Sequence, residues 1–236
     1  MIQISKIFLK SLDGKEVPSF KLGSNSNEAF LLIHGYSSSK GEFVELAYDL
    51  AEKGYDCFCI DLRGHGENEN PLDEHVLNDV EGAVKELKES YKKVYAIGHS
   101  LGGLLALKSS ADFAFAISPP LMKRVADVAK FMLLLNSCKV REAERGVLFK
   151  ILEKLNPPER KKDAVIFYGK NESEPFINAL KEWAKGREVE VVEVGSMQAE
   201  LPEIDVDCEM LKRYLPRFVS HTAVVKAKEI KEKIKF

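Results

Sequence analysis

Ser100 stands in the stretch AIGHSLGGL, residues 96–104, with a glycine two places away on each side. A serine hydroxyl is a poor nucleophile near neutral pH. It attacks an acyl carbon only when a base within hydrogen-bond reach takes its proton and a third group holds that base in the right tautomer. The G-x-S-x-G spacing suits such a serine at a sharp strand-to-helix turn. Gly98 and Gly102 let the two elements approach without Cβ clashes, while the serine takes a strained conformation that exposes its hydroxyl. The same letters also describe an ordinary glycine-rich turn, so the flanking pattern must decide. It reads as an apolar strand, VYAIG, running into an apolar helix, LGGLLALKSS, which is the context the motif requires. A helix starting at the serine aims its first amides and its positive dipole end at any negative charge forming there. The imidazoles that could act as base are His34, His65, His75, His99 and His221.

The elements that would position these groups follow a regular alternation. IQISKIFL and VPSFKL are short, β-branched or aromatic runs around the turn DGK, which predicts an antiparallel hairpin. AFLLIHGY is continuously apolar, as expected of a strand covered on both faces. Phe43, Leu46, Ala47, Leu50 and Ala51 then recur at helical spacing, YDCFCIDLRGHG repeats the strand-then-glycine theme, and Val76, Val80, Ala83, Val84 and Leu87 mark another helix. Further strands are expected at KVYAIGHS, FAFAIS, AVIFYG and VEVVEVG. Repeated strand–helix units imply a parallel sheet with helices on both faces. Residues 121–162 break the rhythm. Val125, Val128, Ala129 and Met132, then Val147, Leu148, Ile151 and Leu155, predict two helices inserted over the sheet. A second departure, residues 197–220, precedes a terminal helix whose face is Ala223, Ala227, Ile230 and Ile234.

Composition narrows the classes. No Pro/Gly/Ser-rich linker divides the 236 residues, so a single domain over 1–236 is expected, with the inserted helices of 121–162 inside it. Thirty-five Lys and Arg against 37 Asp and Glu leave a formal charge of −2, without the basic footprint of a nucleic-acid binder. The N-terminal MIQISKIFLK lacks the apolar core and cleavage site of a signal peptide, and no run is long enough to span a bilayer, so a soluble, cytoplasmic protein is expected. Cys57, Cys59, Cys138 and Cys208 match neither a zinc site nor a disulfide framework and read as buried free thiols.

HGY at 34–36, DLRGHG at 61–66, GHSLGG at 98–103 and YGKNESEP at 168–175 together resemble the α/β-hydrolase family over nearly the whole chain, and within it the small serine esterases and monoacylglycerol-lipase-like enzymes with a short lid, which would be the inserted helices of 121–162. The resemblance implies an α/β-hydrolase fold: an eight-stranded, mostly parallel sheet with the active site at the carboxyl ends of its strands. It also implies the chain order nucleophile, acid, histidine. His221 is the histidine that follows Ser100, and it becomes the expected base, although the usual place just after the final strand reads GSMQAE and contains none. An insertion in the base-carrying loop would account for the displacement. His34 and His99 fall in strand-end motifs and read as structural. For the acid, the family's G-x-x-D after the seventh strand corresponds to GKNE, which puts Glu172 at the aspartate position, with Glu174 as the alternative. The resemblance assigns the oxyanion hole to the backbone N–H groups of Tyr36 and Leu101. The Tyr36 hydroxyl either contacts substrate or belongs to a packing aromatic.

The expected chemistry is acyl transfer to water from a small-molecule ester of short or medium acyl chain, through a covalent acyl-serine, with no metal or organic cofactor. Thioester hydrolysis and acyl transfer to another acceptor would use the same groups. Glutamate in place of aspartate and the displaced histidine are what favour the alternative of another class, a non-catalytic ligand-binding protein on this scaffold.

Overall fold

The computed structural model describes residues 2–194 apart from 24, 123, 124, 126 and 161. Gln3–Lys10 (β1) and Glu16–Gly23 (β2) form the expected hairpin, with Gln3 opposite Gly23 and Lys10 opposite Glu16. Then follow Glu28–Ile33 (β3), Asp56–Ile60 (β4), Lys93–His99 (β5), Phe113–Ile117 (β6), Ala164–Gly169 (β7) and Val189–Val194 (β8). They build one eight-stranded sheet in the order β1-β2-β4-β3-β5-β6-β7-β8. Only the β1/β2 and β2/β4 pairs are antiparallel. The parallel strands therefore all end at the same edge of the sheet, and the loops after them share one rim.

Side chains alternate across each strand, so one run feeds two cores. Phe30 and Leu32 of β3 join Cys57, Cys59, Tyr95, Ile97, Phe115 and Phe167 on one face, where Leu46, Ala47, Leu50 and Ala51 of Val44–Glu52 (α1) pack. Leu31 and Ile33 point the other way, toward Leu77–Lys88 (α2) and Leu101–Lys108 (α3). Cys57 and Cys59 are buried as expected, whereas Cys138 is exposed, because it falls on a short 3₁₀ turn, Ser137–Lys139, rather than in the core.

The segment between β6 and β7 contains the two anticipated helices, Asp127–Asn136 (α4) and Val147–Leu155 (α5). The apolar face of α5 is buried. On α4, Phe131 and Leu135 remain 62% and 55% exposed. The stretch joining the helices is stitched to the loop after β4: Arg141 N–H donates to Gly64 O (2.9 Å) and Leu72 N–H to Arg141 O (2.7 Å). Glu174–Ala184 (α6) goes unmarked in the sequence, since it has Pro175 in its first turn within a charged stretch and carries only Phe176, Leu180 and Trp183 as its buried face. The 197–220 segment, the terminal helix and Cys208 lie outside the described residues. Among those described, no helix is long and apolar enough to cross a membrane.

At the junction of β5 and α3 the backbone has no slack. A Cβ on Gly98 would overlap the Gly102 carbonyl, and one on Gly102 would overlap the carbonyl oxygen of Ile33 on the neighbouring strand. Both obstacles are backbone atoms, which cannot rotate away. Gly102→Ala is therefore expected to destabilise the protein by about 2 kcal/mol or more through overpacking. Chemical denaturation checks this; a loss near zero would mean that the strand and helix are not locked together.

Candidate active site

Ser100 occupies the turn between β5 and α3 with φ 50° and ψ −114°, a left-handed-side conformation that a residue with a side chain adopts only where its surroundings enforce it. Two bonds enforce it here. Its N–H donates to Ile117 O at the end of β6 (2.8 Å), and its carbonyl accepts the Leu104 N–H (3.1 Å), closing the first turn of α3. The amides of residues 101–103 lie ahead of that first bond, so Leu101 N–H has no partner one turn back in its own helix.

The loop after β3 abuts this turn. A Cβ on Gly35 would sit 3.4 Å from Ser100 Cβ and 3.3 Å from both His99 Nδ1 and His99 O, so the peptide joining Gly35 to Tyr36 runs beside the serine. The Tyr36 phenol is committed to the protein: it donates to Glu142 Oε1 (2.7 Å), in the stretch between α4 and α5, while Glu142 Oε2 accepts the Gly146 N–H (3.0 Å) at the start of α5. Burial and the carboxylate beside it push the phenol's pKa well above its ordinary value, so it stays protonated and donating.

Most of the histidines are occupied by scaffolding. His34 Nε2 accepts the Leu62 N–H (3.1 Å), which leaves the ring proton on Nδ1, 2.7 Å from Gly35 O. His65 repeats the arrangement: Nε2 accepts from Ser37 N–H (3.1 Å) and Nδ1 donates to Arg63 O (3.0 Å). Both rings are buried and packed on one another. His75 is exposed just ahead of α2. His99 Nδ1 lies 2.7 Å from Glu42 Oε1. His221 is outside the described residues.

DLRGHG is likewise a structural staple. Asp61 accepts from the backbone of Lys40 (2.7 Å) and Glu67 (2.9 Å) and pairs with the Lys40 ammonium, tying the loops after β3 and β4 together. Arg63, fully buried, reaches Asp79 (2.7 Å), Asp73 (2.8 Å) and Asp13 (3.1 Å), so that its charge is neutralised where water is excluded.

Glu172 lies on the loop after β7, half-buried, with Oε1 accepting from the Ser118 hydroxyl (3.0 Å) at the end of β6. Glu174 is exposed in the first turn of α6, where its charge complements the helix dipole. The geometry thus brings Ser100, Leu101, Tyr36 and Glu172 to one rim of the sheet. Glu42, Glu142 and Ser118 join them without a sequence signal, because their partners are distant in the chain. A polar residue closing the apolar strand FAFAI is the one hint of Ser118.

A family model described as alpha/beta hydrolase fold matches residues 28–156, more than half of the chain. A carboxylesterase of Bacillus subtilis is 31% identical over 87 residues, 35% of this chain and 35% of the relative. Lipase 1 of Psychrobacter immobilis is 26% identical over 116 residues, 46% and 36% of the two chains. These alignments span about a third of the relatives' length. Among solved structures, an esterase of Pyrococcus furiosus superposes with a TM-score of 0.61 at 18% identity over 93% of this chain and 92% of that one. An esterase of Exiguobacterium antarcticum gives 0.62 at 17% identity over 91% and 99%. At these identities the superpositions speak to the fold.

The two buried rings make stability depend on pH. Burial, with the His34 ring beside it, pushes His65 from 6.5 down to about 3, and burial lowers His34 as well. Below about pH 6.5 the unfolded chain takes up protons that the folded rings refuse, so their contribution is full above that pH and is lost as pH falls toward 3. Unfolding free energies at pH 7, 5.5 and 4 are expected to fall in that order. His65→Asn should flatten the slope, and an unchanged slope would mean that the ring is not held neutral.

Proposed function

The chain belongs to the α/β-hydrolase family, and on that premise we propose that it hydrolyses carboxylic esters with Ser100 as nucleophile, His221 as general base and Glu172 as the carboxylate that orients the base. The observation that carries this reading is the backbone of Ser100, held at positive φ between the end of a strand and the first turn of a helix, as the G-x-S-x-G nucleophile turn requires.

In the proposed cycle His221 takes the hydroxyl proton as Ser100 Oγ attacks the ester carbonyl. The N–H groups of Tyr36 and Leu101 hold the resulting oxyanion; each such donor typically contributes about 3 kcal/mol. His221 then protonates the leaving alcohol, and water, deprotonated by the same imidazole, releases the acid and restores the serine. Glu172 suits its role better than Glu174, because a half-buried carboxylate already bonded to Ser118 is fixed in place, whereas an exposed one is solvated. Residues 121–162 serve in this reading as the lid over a site for small acyl esters of short to medium chain, and the protein acts in the cytoplasm as a single domain.

A fluorophosphonate probe and p-nitrophenyl esters test the proposal. Covalent labelling of the wild type at Ser100 is expected, with Ser100→Ala lowering kcat/KM by about 10⁴-fold or more. His221→Ala should be nearly as damaging. Glu172→Ala should cost at least about 100-fold while Glu174→Ala stays close to wild type. Folded protein that resists labelling would point to a binding protein instead, and the reverse ranking of the two glutamates would move the acid to Glu174.

A further inference from the structure

The two amides proposed to hold the oxyanion belong to different elements, Tyr36 to the loop after β3 and Leu101 to the start of α3, so their separation must be fixed by something that touches both. We propose that Glu42 is that positioning residue: its carboxylate bridges the loop and the turn, and thereby sets the spacing of the two donors. The inference rests on the reading of Ser100 as an acyl-transfer nucleophile.

Glu42 lies on a 3₁₀ turn, Lys40–Phe43, behind the rim. One oxygen, Oε2, accepts the N–H of Gly35 (3.0 Å), the residue before Tyr36. The other, Oε1, meets Nδ1 of His99 (2.7 Å), the residue before Ser100. Each bond thus acts one residue away from a group in the proposed chemistry. The side chain is 15% exposed, which keeps water from competing for either bond. Burial works against the charge on Glu42, but the His99 ring and the Gly35 N–H outweigh it and hold the carboxyl below its usual range, so it stays an anion and accepts both bonds. A Cβ added at Gly35 would come within 3.4 Å of His99 and Ser100 Cβ, so loop and turn pass with little more than a glycine between them, and the carboxylate keeps them from drifting apart. The two bonds of one carboxylate thus tie the loop and the turn at a set spacing. A shift of about 1 Å in a preorganised site can cost on the order of 100-fold in rate.

Removal of the bridge should therefore slow chemistry rather than weaken binding. In p-nitrophenyl ester hydrolysis, Glu42→Ala is expected to lower kcat by about 10- to 100-fold with KM within about twofold of wild type, and to weaken an alkyl boronic acid, which forms a tetrahedral adduct on the serine, by a similar factor. Glu42→Gln, whose amide oxygen can accept from Gly35 while its NH₂ donates to the other His99 tautomer, should recover most of the rate. Should Glu42→Ala fail to fold, Glu42→Asp, too short to span both partners, takes its place under the same criteria. A folded variant with wild-type kcat and boronate affinity, or one whose loss lies wholly in KM, overturns the inference while fluorophosphonate labelling of the wild type leaves the acyl-transfer reading standing. A wild type that resists the probe overturns both.

Discussion

The tight closure of strand β5 onto helix α3 is the constraint on which the rim depends. The chain must reverse direction across a single residue there, and the backbone oxygens of Gly102 and Ile33 fill the space that side chains at 98 and 102 would need. That closure, together with the bond from Ser100 N–H to β6, holds the serine at positive φ. It also ends the strand and begins the helix at one point, so the first amides of α3 and the hydroxyl of Ser100 emerge side by side. Ser37 and Ser118, in the nearby loops after β3 and β6, also have positive φ, a conformation that residues with a side chain seldom adopt.

Around this turn the polar residues mainly build rather than react. Asp61, Arg63, His34 and His65 come from the segments that look most like catalytic motifs, yet each is saturated by backbone groups or by an opposite charge. The reason is desolvation: loops that cross the end of a parallel sheet bury amides and carbonyls that no neighbouring strand can satisfy, and a neutral imidazole with one donor and one acceptor satisfies one of each. Such saturation leaves these rings no proton chemistry to offer. It gives the loop carrying Tyr36 a fixed path, with Ser37 held by His65, Gly35 by Glu42 and the Tyr36 phenol by Glu142.

The link through Glu142 also joins the rim to the segment between β6 and β7. A carboxylate that accepts the phenol with one oxygen and the Gly146 amide with the other makes the start of α5 and the loop after β3 parts of one hydrogen-bonded unit. Beyond that unit α4 presents Phe131 and Leu135 to solvent, whereas α5 buries Val147, Leu148, Ile151, Leu152 and Leu155.

Apolar runs and helical spacing were enough to mark all eight strands and five of the described helices in the sequence, because burial on a face is a local demand that each segment meets with its own side chains. The G-x-S-x-G stretch was legible for the same reason, since its steric requirement is satisfied by glycines at fixed offsets. α6 escaped, its three buried residues being too few against a charged background, and the exposure of Cys138 could not be read from a lone thiol. The pairings at the rim were decided by tertiary structure alone. Glu42 meets His99 57 positions away, Ser118 meets Glu172 at 54, and Tyr36 meets Glu142 at 106. A carboxylate carries no local signature of whether it will end in water or against a partner. Only the crossing of the chain at the sheet's edge, which sets where desolvation is severe, makes that choice.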